Sequence, residues 1–184
     1  MTLTRIAVAL TFLIATDAAA SARAADEVPA DPLAEAKAGK IVCYEPEPAT
    51  RQCSGIYRYT WNSDGSILML NEGVIRDSEG LIYRMYERIS VVDGQICMPW
   101  DPEAQRQATY RRAGVAIDAE TTARMNESMV EGMGLEPGVL FCLIPRREGD
   151  QWRNDITTDG GPPERGTRPY VWVDPADGWR LPGD

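Results

Sequence analysis

Four cysteines, Cys43, Cys53, Cys97 and Cys142, are the residues best placed by type and spacing to do chemistry in this chain. Four thiols suit a disulfide framework, a redox device or a zinc site. Zinc ribbons use C-x2-C knuckles and thioredoxin-like redox pairs use C-x-x-C; neither spacing occurs. Disulfides are therefore expected. Four cysteines allow three pairings, and sequence alone does not select one. The favoured set is Cys43–Cys53 with Cys97–Cys142, because the first two are close in sequence and Pro46 and Pro48 already restrict the loop between them. Chain-entropy arithmetic gives about 3 kcal/mol for the short loop and about 4 kcal/mol for the longer one.

Histidine is absent. That removes Ser-His-Asp and Cys-His catalysis in their usual forms, His-ligated metals and the commonest proton shuttle near neutral pH. Carboxylate and tyrosine chemistry stay open. The only lysines, Lys37 and Lys40, lie near the start of the predicted domain and make a poor case for a Schiff-base residue. Met125, Met129 and Met133 recur at helical spacing on one face. Thioethers bind Cu(I), but the plainer reading is a stripe that packs a helix against a sheet. NSDG (62–65), DITTDGG (155–161) and DPADG (174–178) resemble calcium loops loosely, lack the full ligand pattern, and read as Asx-Gly turns. Trp100, Trp152, Tyr170, Trp172 and Trp179 could line a carbohydrate or peptide groove; core or sheet packing is the plainer reading. Asn126-Glu127-Ser128 matches a glycosylation sequon but lies within a predicted helix.

The elements that must position these residues begin with a leader. Arg5 precedes an apolar stretch from Ile6 to Ala15, and small residues follow, so residues 1–24 read as a signal peptide cut between Ala24 and Ala25, with Ala18–Ala20 as an earlier alternative. The apolar stretch is about half the roughly 20 residues a membrane span requires. Residues 25–38 read as a flexible leader, with a short helix from Pro32 to Ala38. Residues 39–184 read as a single domain.

Within that domain KIVCY, SGIYRYTW and ILML read as strands, the last two joined through Asn62, Asp64 and Gly65. LIYRMYERISVV alternates Ile82, Arg84, Tyr86 and Arg88 against Leu81, Tyr83 and Met85, a strand pattern, and Asp93-Gly94 turns it back into QICM. Asp101 and Pro102 can start a helical turn. The clearest helix is DAETTARMNESMVEGMG, with Asp118 as N-cap and Gly132 or Gly134 as its stop. VLFCLI, QWRNDITT and YVWV complete the set of short strands. The expected fold class is α+β: an antiparallel sheet of short strands with one main helix, stapled by disulfides.

The run Gly39, Lys40, Ile41, Cys43, Tyr44, Pro46, with Cys53 beyond it, resembles a group of small exported proteins of α-proteobacteria. Cys97, a helix before Cys142, and the tail Trp172, Val173, Pro175, Ala176, Asp177, Gly178, Trp179 are also similar. The resemblance implies export and disulfide bonding and lends no catalytic residues.

The net charge of −9 argues against a basic nucleic-acid surface and against attraction to anionic lipid. The expectation is a periplasmic or secreted, non-catalytic binding or envelope-accessory protein. Its partner would be an envelope protein or a small ligand, with no cofactor, no nucleic acid and no membrane span after processing. The alternatives are a hydrolase using carboxylate or tyrosine chemistry, and methionine-based metal handling.

Overall fold

The computed structural model describes residues 28–75 and 80–183. The signal peptide assigned to residues 1–24, with its cut between Ala24 and Ala25, lies outside the described residues.

The alternating segments pair with their chain neighbours, and the pairing closes on itself. Strands β1 (Ile41–Tyr44), β2 (Gly55–Trp61), β3 (Ile67–Val74), β4 (Leu81–Val92) and β5 (Gln95–Pro99) form a meander. It continues, after a long excursion, into β8 (Leu140–Glu148), β9 (Gln151–Thr158) and β11 (Tyr170–Val173). Strand β11 then pairs with β1, from Ile41↔Val173 to Tyr44↔Tyr170. The result is an eight-stranded antiparallel up-and-down barrel. The excursion carries α2 (Pro102–Arg106), β6 (Thr109–Arg112), β7 (Val115–Ala116) and α3 (Ala119–Met133), and β10 (Glu164–Arg165) adds to β9.

This overturns the α+β expectation. Alternating strands suit an open sheet as well as a closed one. What distinguishes them is the β1–β11 pairing, between segments far apart in the chain. The main helix does not fill a core on one sheet face. It lies on the excursion, held by Asn126, whose Nδ2 donates to Arg106 O (2.8 Å) and Ala108 O (2.9 Å) while Oδ1 accepts from Tyr110 Oη (2.9 Å). That amide, written as a sequon, is buried as a peg. Asp118 caps the helix by accepting from Thr121 N, and Gly134 ends it at φ 58°.

Two layers of packing hold the barrel. Inward-facing Met69, Ile89 and Ile96 surround Leu33, which is fully buried. The stretch read as a leader thus carries α1 (Ala34–Lys37) and sends a core side chain into the barrel. Outside the wall, Ile41, Cys43, Ile56, Ile82 and Val173 are covered by Cys53, Trp179 and Leu181. Cys53 N donates to Arg180 O (2.9 Å), and Arg51 reaches Asp177 O (2.6 Å). The C-x9-C loop and the W-V-x-P-A-D-G-W tail therefore clasp each other over one outer face. Cys43 is bonded to Cys53, and Cys97 to Cys142 across the β5–β8 register. Bonds of this kind form in oxidising compartments. Among the described residues no helix is long and apolar enough to cross a membrane.

Candidate functional site

Strand β4 divides one of its edges between two partners. Along one edge it pairs with β3 from Ile82 to Ile89. Along the other, Leu81–Arg84 pair with β6 and Ser90–Val92 with β5. Beyond Cys97, β5 leaves β4 and stays with β8, through Met98↔Phe141 and Pro99↔Leu140. Residues 98–108 consequently loop out opposite residues 85–89, and the wall splits. A cavity of about 570 Å³ occupies the split, within the size range of small-molecule sites. One side is formed by Met85, Glu87 and Arg88, the other by Met98, Trp100, Asp101 and Glu103; Phe141, Leu143 and Ile156 form an apolar floor from β8 and β9.

The side chains on this floor follow from register. Ile96↔Leu143↔Ile156 and Met98↔Phe141 are cross-strand neighbours, so they share a face. Ile96 is in the same inward cluster as Met69, which fixes that face as the lumen. Across β2, β3 and β4 the lumen rows are Tyr59–Met69–Glu87 and Tyr57–Asn71–Met85.

Glu87 is the one carboxylate in its phase of β4, which otherwise reads Leu81, Tyr83, Met85, Ile89. Its Oε2 accepts from Asn71 Nδ2 at 3.3 Å, and Asn71 Oδ1 accepts from Tyr83 Oη at 2.7 Å. Gly73 makes this possible: a Cβ there would lie 2.9 Å from the Tyr83 ring. Burial pushes the Glu87 carboxyl above the ordinary carboxylate range, and the Asn71 hydrogen bond opposes the shift only in part. Among the described residues no cation pairs with it. Arg88, next in sequence, projects to the opposite side of the strand. The Tyr57 and Tyr59 hydroxyls are pushed well above their usual value, first by burial and further by neighbouring tyrosines and Glu87.

Trp100 stands on the other side of the cavity. Its backbone is fixed by bonds to Val139 O (2.7 Å) and from Gly138 N (2.8 Å). Its indole Nε1 is buried and donates to nothing among the described residues. A buried donor left unpaired costs about 1–3 kcal/mol. The cavity therefore has largely apolar walls and one carboxylate, Glu87, with unused hydrogen-bonding capacity.

The aromatic set singled out in the sequence divides. Trp152, Tyr170 and Trp172 meet inside the barrel, Tyr170 lying 6.4 Å from Trp152 and 6.3 Å from Trp172. Trp179 lies on the outer face, and Trp100 alone lines the cavity. The methionine stripe also divides. Met125 packs beside Leu81, Ala108 and Tyr110, Met129 is 47% exposed, and Met133 is 42% exposed at the cavity's edge. The Asx-Gly segments do turn work: Asp64 accepts from Ser66 N, Asp159 from Leu140 N and Asp174 from Ala176 N. Glu87 escaped the sequence reading, although its lone charge in an apolar phase was the available signal.

No family model, no curated protein and no solved structure matches the chain.

Proposed function

We propose that this protein binds a small, largely apolar molecule in the split between β4 and β5, and that it does so in the periplasm or outside the cell. One observation carries the reading. The wall of the barrel opens between β4 and β5 onto a cavity whose floor is Phe141, Leu143 and Ile156 and whose carboxylate, Glu87, is incompletely used. Eight strands is the closure at which a barrel either fills with side chains or holds one small ligand. This barrel is filled around Leu33 and open at the split. The two disulfides support an oxidising location.

A carboxylate hydrolase would need a second free carboxylate beside Glu87. Asp101 instead caps α2 by accepting from Glu103 N (2.9 Å) and Ala104 N (3.3 Å), and Glu103 faces Arg106 at 3.8 Å. Binding is therefore the better-supported reading.

The test is a titration of the purified chain with the neutral fluorophore N-phenyl-1-naphthylamine. Saturable one-site binding is expected. Ile156→Arg puts a charge on the cavity floor at a position exposed enough to tolerate it, and should weaken binding at least about tenfold. Absence of saturable binding, or full binding by the folded variant, would contradict the proposal.

A further inference from the structure

The geometry points to a cationic amphiphile as the ligand class: an amine or quaternary ammonium head against Glu87, with an apolar body along Met85, Met98, Phe141, Leu143 and Ile156. The inference rests on the reading of the cavity as a ligand site and adds the sign of the ligand's charge.

Glu87 faces the lumen from the middle of β4, and one amide hydrogen bond is all it receives. The titratable groups that face it are neutral or acidic; the cation Arg168 acts on Tyr57 and Tyr83 behind them and is engaged by Glu45 and Ser54. Tyr57 and Tyr59 face it from β2, and Tyr83 from its own strand. Across the split stand Asp101 and Glu103 at the start of α2. Among the described residues the one basic residue on the cavity is Arg88, which is exposed on the outer side of β4 and near Asp64. An exposed charge of that kind contributes little to holding an anion. A half-buried carboxylate short of hydrogen bonds has two remedies, a proton or a cation. An incoming ammonium supplies the cation, and Trp100 and Phe141 on the same cavity are aromatic residues of the kind ammonium groups favour. An anionic amphiphile would bring a second negative charge beside Glu87. The field outside agrees in sign, since the whole chain carries −9.

Cation binding requires the ionised carboxylate, so the affinity should rise with pH through and above the ordinary carboxylate range. Neutral ligands should not share that dependence.

The experiment compares octyltrimethylammonium, octanol and octanoate by calorimetry and by displacement of N-phenyl-1-naphthylamine. The tail is constant and the head is cationic, neutral or anionic. The expected order is octyltrimethylammonium tightest and octanoate weakest. Glu87→Gln, which keeps shape and removes charge, should weaken octyltrimethylammonium at least about tenfold relative to octanol and abolish its pH dependence. Circular dichroism establishes that the variant is folded, and Glu87→Asp, which keeps the charge, should retain the cation preference if Gln proves unstable. Equal binding of the three, or a cation preference that survives Glu87→Gln, would overturn this inference while leaving small-molecule binding intact. Failure of all three together with N-phenyl-1-naphthylamine would overturn both.

Discussion

Two parts of the same barrel treat buried polar groups in opposite ways. Where β1 meets β11 and β9, Asn154 Nδ2 donates to Tyr44 Oη at 2.9 Å and its Oδ1 accepts from Tyr170 Oη at 3.3 Å. Arg168 lies over the Tyr44 ring at 5.1 Å and donates to Ser54 Oγ at 2.7 Å. Asn154, Tyr44 and Tyr170 are all buried and satisfied. At the split between β4 and β5, another lumen asparagine, Asn71, links Tyr83 to Glu87, but the chain ends on a carboxylate with no cation partner among the described residues. The sealed side spends its polar groups on holding the wall; the split side keeps them available. A satisfied buried network rigidifies a core, and a partly satisfied one marks where a ligand or proton must complete it.

The comparison is best sharpened by substitutions on each side. The largest effect is expected from C97A/C142A, which releases β5 from β8 just where β5 departs from β4. Loss of a loop of this length should cost about 4 kcal/mol of stability in urea unfolding. Asn154→Ala should follow at about 2–4 kcal/mol, because it strands two buried tyrosine hydroxyls and leaves a cavity. Both belong to the side or strand that holds the barrel shut.

On the split side the sign reverses. Glu87→Gln should stabilise the free protein at neutral pH by about 1–2 kcal/mol, the scale of a buried polar group short of partners. The pH dependence has a definite direction. The Glu87 carboxyl is raised in the folded protein, so the folded state holds its proton when the unfolded chain has already lost it. The resulting stabilisation is complete below the ordinary carboxylate range and is lost as pH rises through the raised value. Thermal melts of the wild type against Glu87→Gln should therefore converge at acid pH and separate towards neutral pH. The smallest effect is expected from Trp100→Phe, within about 1 kcal/mol of wild type, because the deleted N–H has no partner to lose and the ring change is modest.

How much of this was written in the sequence differs between elements for physical reasons. Local signals were clear: Asp93-Gly94, with φ 50° and 76°, makes the β4–β5 turn, and Asp118 and Gly134 bound α3 as their residue types indicate. The even set of cysteines announced disulfides. Barrel closure was not legible, because the join of Ile41 with Val173 depends on register accumulated over the whole meander and leaves no local mark. Leu33 looked like part of a loose leader, since a single apolar residue between Asp31 and Glu35 carries no periodicity. The split was hidden for a similar reason. Nothing in LIYRMYERISVV reveals that one edge of the strand serves two partners. The charge phase of that strand did hold one clue, Glu87 among Leu81, Tyr83, Met85 and Ile89.

The central claim is that the split, and not the sealed side, is where a ligand enters. Hydrogen exchange followed by mass spectrometry, with and without saturating N-phenyl-1-naphthylamine, tests it most directly. Slowed exchange is expected in peptides covering residues 85–89 and 98–107, with residues 41–44 and 170–173 already slow and unaltered. Protection appearing at residues 41–44 and 170–173, or nowhere despite saturable binding, would contradict the account.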